Sequence, residues 1–355
     1  MGAALALAER GRGRTAPNPT VGCVIVQPAP AKAGGCVVGR GWTQPGGRPH
    51  AEAMALAQAG DAARGATVYT TLEPCAHASE RGPACSDLLV AAGVARVVAA
   101  IADPDPRTDG RGHQRLRDAG IAVEIGVGAD AAQRSMAGFL TRRAAGRPFV
   151  TLKLATSLDG CIARADGESK WITGVAARAH AHIERARHEA ILVGRGTVEA
   201  DAPTLDVRIA GLADRSPRRL VLSTRPAHDF SRHPRESGGP SPAPSSSRHG
   251  EAMGPRFRGD DESWETIPSP HAIAALDRVD HLLVEGGAQT AAAFLAADLV
   301  DRLLLYRAPI VIGGGRPAIG DIGLGALGEA HGRWRLRDRR MLGIDSVEEY
   351  ERVRN

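Results

Sequence analysis

The chain has 355 residues, a formal net charge of +5, a pI near 9.2 and only 3% aromatic residues. That length exceeds one ordinary core and sets two domains as the expectation, while a positive charge with so few rings argues against single-strand nucleic-acid binding, which needs stacking platforms as well as cations. Five cysteines, odd in number and irregularly spaced, argue against a disulfide framework, and without a long apolar stretch or a signal-peptide pattern over Met1 to Arg14 the expectation is a cytoplasmic enzyme.

In chain order, Ala3 to Glu9 reads as a helix, Val21 to Val26 as a buried strand and Cys36 to Gly41 as its hairpin partner. Glu52 to Ala59 has small apolar residues at helical spacing. Thr67 to Leu72 is a strand running into a Pro-Cys turn, Cys85 to Ala92 a helix, and Val94 to Ile101 and Val123 to Val127 are strands. This alternation predicts a three-layer α/β domain. Within it, His50-Ala51-Glu52, Pro74-Cys75 and Cys85 carry the chemistry. Catalytic zinc keeps three protein ligands and leaves the fourth position to water. Zinc-dependent nucleobase deaminases show H-x-E…P-C-x-x-C, with the glutamate moving protons. His50, Cys75 and Cys85 are therefore candidate ligands and Glu52 the candidate general acid–base, although residues 76–84 stand where that signature has two. A structural zinc site with His77 as fourth ligand is the alternative; Glu52 argues against it, because a structural site has no use for a poised carboxylate. Both ligand-bearing segments are expected at helix N-termini, which favours thiolate.

Arg142 to Arg147 reads as a short basic linker. A second α/β unit opens with the strand Phe149 to Ala155, with further strands at Ala190 to Val193, Arg219 to Leu222, His281 to Glu285 and Arg302 to Tyr306. No Val, Ile or Leu occurs between Leu222 and Ile267. Such a stretch cannot bury enough apolar surface to offset its ordering entropy, so about 225–266 reads as a disordered surface insertion ahead of a helix from Ile267 to Leu276. The strand ending at Glu285 runs into Gly286-Gly287 and a helix from about Ala288 to Ala297, an arrangement that favours an anion. Gly194-Arg195-Gly196-Thr197 repeats it. Neither is a GxGxxG, so a Rossmann fingerprint is absent, and tight turns explain these glycines equally well. Ser157-Leu158-Asp159-Gly160 adds a loop where a nicotinamide and a substrate could meet.

The runs Pro17-Asn18-Pro19-Thr20-Val21-Gly22-Cys23-Val24-Ile25-Val26, His50-Ala51-Glu52, Thr71-Leu72-Glu73-Pro74-Cys75-Ala76-His77 and Asp103-Pro104-Asp105-Pro106 resemble the bifunctional riboflavin-biosynthesis deaminase–reductase family. So do Lys153-Leu154-Ala155-Thr156-Ser157-Leu158-Asp159-Gly160, Gly167-Glu168-Ser169-Lys170-Trp171-Ile172-Thr173 and Val284-Glu285-Gly286-Gly287, in order along nearly the whole chain except the insertion. The resemblance implies a zinc-dependent, cytidine-deaminase-like pyrimidine deaminase domain over 1–145. It implies an NADPH-dependent, dihydrofolate-reductase-like domain over 146–355. The implied reactions are hydrolytic deamination of 2,5-diamino-6-(5-phosphoribosylamino)pyrimidin-4-one, then reduction of its ribosyl group to ribityl.

Carried over by matching positions, zinc falls on His50, Cys75 and Cys85, with Glu52 as proton carrier. Asn18 is a ring contact or only the middle of a Pro-Asn-Pro turn. NADP contacts fall on Ala155, Trp171, Thr197, Asp201, Thr224, Gly287, Ala288, Gln289, Thr290, Ala291, Ala292 and Ala293. Substrate contacts fall on Ser169, Arg185, Leu205, Arg208 and Glu285. Arg185 and Arg208 can fork onto a phosphate, Glu285 can accept from sugar hydroxyls, and Lys153 can orient the reducible carbon. Trp171 is an aromatic wall or a core residue. The implied partner is a small pyrimidine ribose phosphate, with no nucleic acid and no membrane, and a homo-oligomer is expected. The chain departs from the family pattern at Glu80-Arg81-Gly82-Pro83-Ala84, at Glu189-Ala190 and at Asp201-Ala202-Pro203. The alternative reading is a zinc deaminase of another nucleobase with a non-functional reductase-like domain. A zinc-stabilised binding protein would have no need of Glu52.

Overall fold

The computed structural model describes residues 1–28, 35–77, 79–80, 82–225 and 264–354. The insertion expected at about 225–266 therefore lies, from 226 to 263, outside the described residues, as does Arg81.

The helix α1 (Gly2–Ala8) leads to strand β1 (Gly22–Gln27), which pairs antiparallel with β2 (Cys36–Trp42). Helix α2 (Ala51–Ala59) follows, then β3 (Thr67–Thr70), α3 (Cys85–Ala91), β4 (Arg96–Ala99), α4 (Arg111–Asp118) and β5 (Ala122–Ile125). These strands form one sheet in the order β2-β1-β3-β4-β5, with β3, β4 and β5 parallel. Main-chain contact sets the spacing of its helices. A Cβ added to Gly22 would overlap the carbonyl oxygen of Ala4 in α1, and one added to Gly41 the carbonyl oxygen of Ala51 in α2. Gly41 is the cross-strand partner of Cys23, the neighbour of Gly22, so α1 and α2 cover opposite faces. The expected three layers result. Cys23, Ile25, Ala51, Ala55, Val68, Leu89 and Val97 fill the core between them.

Helices α5 (Ala129–Ser135) and α6 (Ala137–Ala145) lead to the second sheet. Its strands are β6 (Phe149–Thr156), β8 (Ala190–Gly194), β9 (Arg218–Leu222), β10 (Glu265–Ile267), β11 (His281–Val284), β12 (Arg302–Arg307), β14 (Trp334–Leu342) and β15 (Asp345–Arg352). The order is β10-β9-β8-β11-β6-β12-β15-β14, parallel from β10 to β12, with β15 and β14 added antiparallel. A small ribbon pairs β7 (Cys161–Ala163) with β13 (Arg316–Pro317). Helices α7 (Val175–Arg185), α8 (Arg195–Asp201) and α9 (Ala288–Ala296) complete this half. Strands β8 and β11 are buried at every position, as a parallel sheet covered on both faces requires. No helix of the described residues is long and apolar enough to cross a membrane.

Two expectations are corrected. The segment from Ile267 to Leu276 is not an α-helix: β10 ends at Ile267 and a 3-10 turn spans Pro270–Ala275. Pro268 and Pro270 remove N–H donors and hold the residues before them extended, as at Ser269. The stretch from Arg142 to Arg147 is not a free linker either, because α6 runs through Ala145. Arg142 donates to the carbonyls of Ala274, Leu276 and Val279, and Arg147 forks onto Asp301 at 2.7 and 2.9 Å.

Gly41→Ala is expected to destabilise the first sheet by about 1–3 kcal/mol, the usual range for overpacking. Thermal unfolding measures this, and an unchanged midpoint would mean that α2 can lift off β2 freely.

Candidate functional site

The first site forms where α2 and α3 begin, beside the end of β3. His50 is the N-cap of α2 and Cys85 the first residue of α3, while Cys75 sits in the loop after β3. That loop is fixed from below. The buried Glu73 carboxylate accepts N–H groups from Asp103, Gly110 and His113, each at 3.1 Å. The Cys75 carbonyl accepts both the N–H and the hydroxyl of Ser86, at 3.2 and 3.0 Å.

His50 Nδ1 lies 3.3 Å from Cys85 Sγ and 3.6 Å from Cys75 Sγ, and the three ligand atoms are mutually within 4.8 Å. Tetrahedral zinc with ordinary Zn–N and Zn–S bonds places its ligand atoms about 3.5–3.8 Å apart. The donor set and its spacing fit that ion. Among the described residues no fourth ligand joins the group; His77 instead faces the Thr108 hydroxyl at 3.4 Å. The Cys75 thiol is held down to about 4 by hydrogen bonding with Cys85, against its burial and with help from His50. Cys85 is pushed up by Cys75 and by burial. A bound dication would take both as thiolates.

Glu52, one residue into α2, is 3% exposed and accepts the Thr70 hydroxyl at 3.3 Å. Burial pushes its carboxyl up, only partly offset by His50, so it is suited to carry a proton beside a metal. Asn18 Nδ2 donates to the Gly47 carbonyl at 2.9 Å and lies 3.4 Å from His50 Nε2. Its Pro-Asn-Pro segment is thus a wall of the site as well as a turn.

Asn18, His50, Glu52 and Cys75 line a cleft of about 210 Å³ together with Arg48, Arg107, Arg143, Asp103 and Asp105. Asp105 takes a fork from Arg107 at 3.0 and 2.6 Å and an N–H from Arg143 at 2.6 Å, and Arg107 drives its carboxyl below the usual range. Burial raises Asp103 to about 6. Sequence reasoning missed Arg107 and Arg143. No local pattern links Asp105 to an arginine on α6, a helix that runs into the segment read as a linker.

The second site lies along the C-terminal ends of four neighbouring parallel strands, β9, β8, β11 and β6, the edge where open α/β sheets bind ligands. From these ends come exposed Thr224, the Gly194–Thr197 turn, Glu285-Gly286-Gly287 and Ala155. The two glycine turns meet. A Cβ at Gly194 or at Gly286 would strike Thr290, and one at Gly287 would lie 3.9 Å from Thr197 Oγ1. Gly287 caps α9, whose first-turn N–H groups at Ala288, Gln289 and Thr290 have no partner within the helix. Ala291, Ala292 and Ala293 continue that helix. This cradle of bare main chain suits the phosphates of a dinucleotide.

Trp171 is 66% exposed and lies under the Arg178 guanidinium at 4.6 Å, so it is a wall residue and not core. Asp201 pairs with Lys170 at 3.6 Å, and half-buried Ser169 lies just before that lysine. Leu205 is buried with a left-handed φ of +53°. Arg208 is exposed and 3.5 Å from Asp206.

Arg185, expected to offer its fork to a phosphate, has that fork on Glu285 at 2.8 and 2.9 Å in the ligand-free chain. Lys153 approaches the same carboxylate at 3.5 Å. Burial alone would push the Glu285 carboxyl up, but Lys153 and Arg185 hold it at about 2. A missed feature is Asp159, which accepts the Ser157 hydroxyl and the N–H groups of Ile312 and Gly313. The Ser-Leu-Asp-Gly run marked that loop but not its distant partner.

Fold and site together define a zinc-dependent deaminase joined to a reductase. The description "Cytidine and deoxycytidylate deaminase zinc-binding region" matches residues 1–101, and "RibD C-terminal domain" matches residues 148–346. The riboflavin biosynthesis protein RibD of Escherichia coli (strain K12) is 40% identical over 343 residues, covering 88% of each chain. That of Mycobacterium tuberculosis is 39% identical over 97% of this chain and 94% of its own. Among solved structures, Acinetobacter baumannii RibD aligns with a TM-score of 0.76 at 35% identity, over 99% of this chain and 97% of that one. The deaminase/reductase of Thermotoga maritima aligns with a TM-score of 0.79 at 29% identity over the same shares. The chain belongs to the RibD family of bifunctional riboflavin-biosynthesis enzymes, hydrolase and oxidoreductase in one polypeptide, using zinc and NADPH. The alternative of a deaminase with a non-functional second half is not supported.

Because the Glu285 carboxyl is held below its ordinary 4.5, the stability it contributes is present above that pH and lost as pH falls towards about 2. The difference in unfolding temperature between the native chain and Glu285→Gln should therefore shrink over that window. A difference independent of pH would contradict the ion-pair account.

Proposed function

We propose that residues 1–145 form the deaminase domain and 146–355 the reductase domain. We further propose that the chain removes the 2-amino group of 2,5-diamino-6-(5-phosphoribosylamino)pyrimidin-4-one and then reduces the ribosyl group to ribityl. The observation that carries the reading is the convergence of His50, Cys75 and Cys85 beside a buried, proton-ready Glu52.

When bound, zinc supplies Lewis-acid chemistry at a fourth coordination position. His50, Cys75 and Cys85 would hold it. Glu52 takes a proton at its carboxylate and delivers it to the departing amino group. The Thr70 hydroxyl orients that carboxylate. Asn18 closes one side of the pyrimidine's space against His50.

In the second site NADPH supplies the reducing equivalents. Ala155, Trp171, Thr197, Asp201, Thr224 and the Gly287–Ala293 turn would hold it, the bare N–H groups of α9 taking phosphate. Glu285 accepts from sugar hydroxyls, held in place by Arg185 and Lys153. Ser169 and Leu205 bound the substrate, and the exposed Arg208 reaches for its phosphate. The enzyme is assigned to the cytoplasm. Leu336, Met341 and Ile344, large apolar residues exposed on the edge hairpin of the second sheet, support a homo-oligomer.

Glu52→Gln should retain zinc and lose ammonia release by about 10²–10⁴-fold, while NADPH oxidation on the deaminated substrate continues. Deamination surviving that change would refute the proton role. Arg208→Ala should raise the reductase KM for the phosphorylated substrate about tenfold or more, as loss of a charge-assisted bond implies, without altering zinc content. An unchanged KM would discard the phosphate contact.

A further inference from the structure

We propose that Arg143, on α6, is a substrate-binding residue of the deaminase cleft and takes the phosphate of the pyrimidine ribose phosphate. The inference rests on the deaminase reading of the first half and names the side chain that reads the end of the substrate away from the ring.

Helix α6 carries two stripes of residues four apart, and such pairs stack on one side of a helix. Gly138 and Arg142 face the second half. The Gly138 N–H donates to His281 Nε2 at 3.1 Å, and Arg142 donates to the carbonyls of Ala274 and Leu276, both at 3.0 Å. Phe139 and Arg143 follow about 100° further round, and both line the cleft that holds His50, Glu52 and Cys75. The second half therefore fixes a helix whose next stripe walls the first site.

Arg143 is held without being used up. Its Nη2 donates to Asp105 Oδ2 at 2.6 Å, and its guanidinium lies over the Phe139 ring at 5.4 Å. Phe139 is 4% exposed, so the ring is a fixed floor. Asp105 is fixed in turn, because Arg107 forks onto it at 3.0 and 2.6 Å and donates its main-chain N–H to Oδ1 at 3.0 Å. Among the described residues, Nε and Nη1 of Arg143 make no hydrogen bond, and the side chain is 39% exposed. A guanidinium pinned at one corner and on one face keeps its other N–H donors for a ligand. Its charge does not titrate and its planar fork matches phosphate. Little side-chain freedom remains to be lost on binding.

Two other arginines line the cleft. Arg107 has its fork on Asp105. Arg48 is half-buried and, among the described residues, has neither a hydrogen bond nor an ion pair to orient it. Arg143 alone of the three is both oriented and left with donors to give.

The test uses the full-length, zinc-loaded protein and follows ammonia release from the diaminopyrimidinone ribose phosphate and from its dephosphorylated counterpart. The readout is the ratio of kcat/KM for the two compounds, which a merely structural change would leave alone. Arg143→Met and Arg143→Gln should each lower that preference about 10- to 100-fold, the range of one charge-assisted hydrogen bond, so that either variant suffices if the other fails to fold. Arg143→Lys, with the charge but without the fork, should fall between them and the native chain, and Arg48→Met should change the ratio less than Arg143→Met. Zinc content should be the same in all. Equal losses on both compounds overturn the proposal, as does a larger effect in Arg48→Met or a native chain indifferent to the phosphate. Ammonia release from neither compound by the native chain counts against the deaminase reading. Calorimetric affinity of the native chain and of Arg143→Met for the phosphorylated compound then decides this proposal, and equal affinities overturn it.

Discussion

One imidazole and two thiols, drawn from three separate elements, have to share a single point. His50 enters from the start of α2, Cys85 from the start of α3, and Cys75 from a loop with no regular structure of its own. The loop is the weakest of the three supports, and the structure spends its best buried carboxylate on it. Glu73 collects three N–H groups from the β4–α4 region and so ties the metal-bearing loop to a neighbouring strand and helix. Removing that anchor would leave the Cys75 loop resting on its bonds to Ser86 at the start of α3. The proton carrier needs no such help, because Glu52 is only two residues from His50 on the same helix start.

The second half solves a different problem. A dinucleotide and a sugar phosphate are long and polar, and what the edge of the sheet offers to such ligands is main chain. Parallel strands β9, β8, β11 and β6 end on one edge, where the turns after β8 and β11 are stripped of side chains around Thr290. The charged residues are arranged against one another more than against solvent. Glu285 is held between Arg185 and Lys153, so its negative charge is fixed before any ligand arrives. Preorganisation of this kind matters more in a partly buried site than the number of charges present.

How much of this the sequence disclosed depended on whether the information was local. The zinc triad and Glu52 were legible because residue type and spacing carry the chemistry, even with residues 76–84 stretching the usual motif. The glycine turns were visible, but their meeting over Thr290 was not, since it joins positions far apart in the chain. Arg185 and Glu285 were each marked as substrate contacts, yet nothing in either neighbourhood says that they bind each other. Helix α4 escaped notice because its charged sequence buries only Gly112, His113 and Leu116. Strand β14 escaped because most of its residues are exposed and no alternation marks it. The basic run at Arg142 to Arg147 read as a short linker, whereas its guanidinium groups bind carbonyls, Asp105 and Asp301. The proline pair at 268 and 270 was available to argue against a helix there.

The seam between α2 and β2 has an implication for how the chain can change over time. A crowded core can be relieved by trimming a neighbouring side chain. At Gly41 the obstacle would be the carbonyl oxygen of Ala51, an atom that all twenty amino acids possess. No second substitution on the helix can make room, so this short stretch is closed to compensatory drift and binds the helix that begins with His50 to a fixed separation from the sheet.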